Sequence, residues 1–164
     1  MPKEQKTTRK ARKLSRFKLA DVDPAAFCSM TDEAAEEFLY RVVLPQLEEQ
    51  NLLISPSGLH HKLKPGTVTS EATYKNLKNQ KWLYELDRLK SAVHSINEGS
   101  GGRPVTNKPL MSYALKHRFE DANKEYISNG TCMIAYLLAG YEIKNSPSRA
   151  PNGYVYVDLK SRVV

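Results

Sequence analysis

The chain has 164 residues, with 25 Lys and Arg against 18 Asp and Glu, and carries a formal net charge of +7. Its hydrophobic content of 40% is enough for one core at this length. No apolar run approaches the ~20 residues of a membrane span, so a bilayer-spanning protein is excluded as the first reading.

The excess charge sits at the start. The first eighteen residues, MPKEQKTTRKARKLSRFK, hold Lys3, Lys6, Arg9, Lys10, Arg12, Lys13, Arg16 and Lys18 against Glu4 alone. The remainder has seventeen charges of each sign. Such a segment buries too little apolar surface to offset its ordering entropy, which predicts a disordered basic tail over residues 1–22. Its charge is matched to nucleic acid, an anionic membrane or an acidic protein surface. Five to seven phosphate contacts from it would give log K a slope of about −5 to −6 against log salt. The run KTTRKARK also fits a nuclear import address. No apolar stretch follows the basic one, so export is not expected. Cys28 and Cys132 make neither a disulfide framework nor a metal spacing. They are expected to be reduced, packed thiols of an intracellular protein.

Residues 23–98 read as a helical region. Its first ordered element is expected near Thr31, with Asp32 and Glu33 in the first turn of a helix, where carboxylates suit the helix dipole. Ala35, Phe38, Leu39, Val42 and Val43 recur at helical spacing. Pro45 either kinks this helix or starts a second over residues 46–52. Asp32, Glu33, Glu36 and Glu37 form a candidate protein interface, on which the tail or a neighbouring molecule would lie. The plainer alternative is a solvated outer face.

The stretch ISPSGLHHKLKPGTV contains two turn signals around a short strand over residues 59–63. On a strand, the adjacent His60 and His61 point to opposite faces and make a poor metal pair. A long helix is expected over residues 70–97. Its face is Leu83, Leu86, Leu89, Val93 and Ile96, with Tyr74, Leu77 and Trp82 upstream, and Gly99 stops it. Lys75 and Lys78, with Lys81, are secondary candidates for phosphate contact.

Residues 99–108 read as a glycine-rich hinge without the Gly-Lys-Ser/Thr of a phosphate loop. Gly102-Arg103-Pro104 matches the core of an AT-hook but lacks basic flanks. Residues 109–164 follow as a module. Asn107 caps a helix with Pro109 in its first turn, and Leu115, Phe119, Ala122 and Tyr126 form its stripe. Asn129-Gly130 is a stop signal, Thr131 caps the apolar helix 132–139, and Gly140 ends that helix. Two β-rich runs, 141–144 and 154–159, are joined by a turn-rich tip. Two helices followed by a hairpin give a winged-helix-like order. The second helix has no Lys, Arg, Asn or Gln after its cap, so it cannot read base edges. Lys116, Arg118, Lys144 and Arg149 remain for backbone contact.

The C-terminal pattern NGTCMIAYLLAGYEIKN…PNGYVYVDLK resembles C-terminal segments of small virion or DNA-associated proteins of large double-stranded DNA viruses. Over these roughly thirty residues the resemblance implies a virion or DNA-associated protein without catalytic residues. The chain also lacks HExxH, a nucleophile elbow and a Cys–His signature. The sequence thus predicts a mainly α (α+β) protein that is not an enzyme and carries no cofactor or metal. Its expected role is sequence-non-specific nucleic-acid association, as a packaging or virion component or in the nucleus or nucleoid. The alternative is a minor capsid or large-complex component whose tail orders against acidic protein surfaces.

Overall fold

The computed structural model describes residues 15–50, 52–56, 58–61, 81–99, 110–145 and 156–157. These are mainly helical, with two small antiparallel sheets. No helix among the described residues is long and apolar enough to cross a membrane.

Order begins earlier than Thr31. Strand β1, Ser15–Phe17, lies inside the stretch expected to be a disordered tail. Phe17 explains the difference, because its ring is 4% exposed and belongs to the main core. One buried phenylalanine stabilises by about 2–3 kcal/mol, enough to hold a three-residue strand that charge alone would release. Helix α1, Pro24–Ser29, follows. Asp23 caps it by accepting from the Ala26 N–H at 3.0 Å, and Pro24 fills the first turn, where its missing N–H costs nothing. Residues 15–22 are therefore part of the folded body rather than of the tail.

Thr31 caps α2, Asp32–Phe38, as its side chain accepts from Ala34 N–H at 3.2 Å. The kink expected at Pro45 is a π turn over Leu39–Val43, in which Leu44 N–H reaches back to the Leu39 carbonyl. Pro45 has no N–H to continue the α pattern, and the wider turn absorbs the break. Ala35, Leu39, Val43 and Leu47 consequently line up every four residues, and all are buried, while Val42 turns outward. The next helix, α3, is Leu44–Glu49, so Leu52 is not helical. It opens β2, Leu52–Ser55, which pairs with β3, Gly58–His61. Ser55 and Gly58, the two ends of the expected turn, are paired in this hairpin.

In the expected long helix, residues 70–80, including Lys75, Lys78, Tyr74 and Leu77, lie outside the described residues. A 3-10 turn over Leu83–Glu85 leads into α4, Leu86–Asn97. Leu86, Leu89 and Val93 are buried as predicted, and so is Trp82. Leu83 is exposed because it falls on the tighter turn. Gly99 ends this run with φ 74°.

Strand β4, Leu110–Met111, precedes α5, Ser112–Asn123. Leu115 and Phe119 are buried, whereas the last member of the expected stripe, Tyr126, is exposed. The helix stops three residues short of it, at a left-handed Lys124 with φ 56°. Asn129-Gly130 does not stop a helix; it forms the first turn of α6, Asn129–Leu138. Ser128 is the cap, accepting from Thr131 N–H at 3.1 Å. Gly140, with φ 92°, ends α6 as expected. Its N–H bonds the Leu137 carbonyl and the Tyr141 N–H bonds the Tyr136 carbonyl, the paired Schellman bonds.

Strands β5, Ile143–Asn145, and β6, Tyr156–Val157, complete a four-stranded antiparallel sheet of order β1-β5-β6-β4. The expected two-stranded hairpin is therefore the centre of a wider sheet. Helix α6 packs on α4 and α5 and touches β2, β3 and β5. A single core cluster runs from Phe17 to Val157, so the segment 99–108 does not separate two cores.

Candidate nucleic-acid interface

The four-stranded sheet sorts its residues by pleat. In register, Phe17 opposes Ile143, and Ile143 opposes Val157. All three are buried. Neighbouring residues on a strand point to the other face, so Arg16 and Lys144, direct partners across the β1–β5 ladder, share the outward face. Across the β5–β6 ladder, Tyr156 is the register partner of Lys144. Two residues that sequence reasoning selects separately, from opposite ends of the chain, are thereby adjacent. Like charges directly opposite each other are unfavourable in a sheet. Glu142 offsets this, with Oε1 3.5 Å from Arg16 Nε, yet the Arg16 side chain stays 68% exposed.

The strand direction matters as much as the row. Ser15 pairs with Asn145, so the points where residues 1–14 and 146–155 attach are adjacent. Lys3, Lys6, Arg9, Lys10, Arg12, Lys13 and Arg149 belong to these two stretches, outside the described residues. On the other side of β1 the chain is tied down. Gln50 Nε2 donates to the Lys18 carbonyl at 3.3 Å, and the Ala20 N–H donates to Gln46 Oε1 at 2.9 Å. The Lys18 side chain is exposed.

Other predicted contacts are distributed differently. Lys116 is buried rather than presented to solvent. Its Nζ is 2.7 Å from Glu120 Oε1 and 4.6 Å from the centroid of the Tyr126 ring, which removes it from the backbone-contact set. Glu120 is a hub. It also accepts from Ile127 N–H at 3.3 Å and lies 3.3 Å from His117 Nδ1. Burial by itself would raise its carboxyl, but the Lys116 bond, the Ile127 N–H and the charges of Lys116 and His117 outweigh it and hold the group below its ordinary value. Arg118 is exposed on α5 and close enough to Tyr136 to oppose the upward push of burial on that phenol.

The acidic candidates are partly committed. Asp32 Oδ1 receives Lys90 Nζ at 2.7 Å, which ties α2 to α4. Glu37 pairs with Arg41 at 3.2 Å. Glu33 is exposed and Glu36 half-buried. Over all described residues, ten Lys and Arg face fifteen Asp and Glu, a net of −5. The described residues are thus net acidic, and the positive excess resides in the remaining segments.

Helix α6, second in the helix pair, is closed to a major groove. Gly130 to Leu138 are buried without exception, and the N-terminal turn sits on the β2 backbone, where a Cβ on Gly130 would meet the Ser55 carbonyl oxygen at 1.7 Å. Cys132, in the middle of the helix, is free, and burial pushes its thiol up to about 12. Among the described residues no three His, Cys, Asp or Glu gather as metal ligands. No family model, curated protein or solved structure matches this chain.

Proposed function

We propose that the protein is a non-enzymatic, sequence-non-specific nucleic-acid-associated protein. It grips the phosphate backbone with its basic N-terminal arm and the outward row of the four-stranded sheet. The observation that carries this reading is the pairing of Arg16 with Lys144, which sets the root of the arm beside the strand leading to Arg149. Phosphate contacts position a protein without specifying sequence, and a buried α6 leaves no recognition helix among the described residues. The order α4, β4, α5, α6, β5, β6 with β6 between β4 and β5 supports a winged-helix-like module used through its strands. A packaging or virion role is the setting that the C-terminal pattern implies.

The test compares the full chain with a chain beginning at Ser15, on random duplex DNA at 50 and 200 mM salt. A steep, salt-sensitive affinity that weakens by orders of magnitude on truncation supports the reading. Equal binding by both chains removes the arm from it.

One observation favours a second reading. The described body is net negative, so the arm of one copy matches the acidic α2–α3 surface of another. In this reading the protein is an assembly component. Sedimentation would then show the full chain self-associating at low salt and the truncated chain monomeric, with no affinity for DNA in either.

A further inference from the structure

Resting on the nucleic-acid reading, we propose that a second site, an open groove between the start of α4 and the α5–α6 turn, takes one unpaired nucleotide of a bound strand. The groove has a volume of about 510 Å3 and is lined by Asp87, Arg88, Ser91, Lys124, Glu125 and Tyr126.

Three independent observations converge on it. Lys124 is held in the left-handed region, φ 56°, directly after the last residue of α5, with its N–H on the Glu120 carbonyl at 2.8 Å. Glycine or asparagine ends helices there without a Cβ penalty. A lysine kept in a strained position points to a use for its charge. Tyr126 is 60% exposed and yet held, with Lys116 Nζ 4.6 Å and Arg88 Cζ 5.9 Å from its ring centroid. An exposed aromatic braced by cations offers a base a ready apolar surface. Finally, neither Arg88 nor Lys124 forms an ion pair with a described residue, so both retain charge for a phosphate.

The carboxylates narrow the ligand. Asp87 and Glu125 oppose a bare anion, which has no donors to give them. They suit the exocyclic amino groups of a base, from which carboxylates accept hydrogen bonds. Phosphate on the cations, base edge on the acids and ring on Tyr126 describe a nucleotide splayed out of its stack rather than inorganic phosphate or an intact duplex.

The experiment uses the full chain and two probes of equal charge, a deoxyadenosine pentamer and the corresponding abasic pentamer, with binding read by fluorescence anisotropy. The base-bearing pentamer is expected to bind about tenfold more tightly. Tyr126→Ala and the double change Arg88→Gln with Lys124→Gln abolish that preference. Lys124→Gly weakens it while raising Tm, since it relieves the left-handed backbone, and so separates impaired binding from impaired folding. Equal binding of the two pentamers by the unaltered chain overturns the groove and leaves the arm reading standing, as does a preference that survives all three variants. If neither pentamer nor long DNA binds, the nucleic-acid reading falls as well.

Discussion

Gly130 lies so close to Ser55 that an added Cβ would sit 1.7 Å from the Ser55 carbonyl oxygen and 2.7 Å from its carbonyl carbon. The obstacle is strand backbone, which has no rotamer to escape into. Gly130→Ala must push α6 off the β2–β3 hairpin and should cost about 3 kcal/mol or more. Urea unfolding at neutral pH measures this. A destabilisation below about 1 kcal/mol would show that the hairpin yields easily to the added methyl group.

Phe17 should separate the fold from the arm. Phe17→Ala is expected to cost about 3 kcal/mol through the vacated core volume. A chain beginning at Ser15 should keep its stability within about 0.5 kcal/mol, as expected where no packed feature is touched. A chain beginning at Ala20 should be destabilised as much as Phe17→Ala, because the whole of β1 goes with it. Thermal melts of the three chains decide, and equal melts for the Ser15 and Ala20 chains would contradict the role given to β1.

Glu120 predicts acid sensitivity. Its carboxyl is held below the ordinary value, so its contribution is complete above the unfolded carboxylate pKa and disappears as pH falls through the lower folded one. Glu120→Gln leaves Lys116 buried without a counter-charge and should cost about 3 kcal/mol at pH 7. The difference should shrink in acid, as pH falls through the depressed folded value and the native carboxyl is itself neutralised. Denaturant titrations of both chains at neutral and acid pH test this, and a pH-independent difference would refute it.

Arg16 is exposed and Lys144 half-buried on the outward face of the sheet, so replacing both with glutamine should cost little stability. Arg16→Gln with Lys144→Gln should leave Tm nearly unchanged and reduce the slope of log K against log salt by about 0.9 for each phosphate that is no longer neutralised. An unchanged slope would remove the sheet from the interface and leave the arm alone.

Much of the helical part is legible in the sequence because local chemistry governs it. Thr31 caps, Gly99 and Gly140 stop, and Leu86, Leu89 and Val93 face inward, each from signals within one or two turns. Asp23-Pro24 is an equally local cap signal, masked by the dense positive charge just before it, which by composition favours disorder. Phe17 is not legible, as its partners Ile143 and Val157 lie at the far end of the chain. Gly130 misleads for a related reason. Asn-Gly is a turn signal by propensity, whereas here the glycine answers a close approach by Ser55 that only the fold creates. Within the candidate site, Arg16 and Lys144 are each visible as cations, but their adjacency is a product of register. The groove at Tyr126 is hidden because the helical stripe assigns that ring to the core.

The pairing of β1 with β5 also bears on the order of events in folding. Strand β1 waits for its only described ladder partner, β5, a contact of very long sequence separation that forms late. Until then Phe17 has no pocket, and the arm hangs on an unfinished edge. Closure of that edge brings together segments far apart in sequence, so a slow, long-range pairing is the step that fixes where the cationic arm begins.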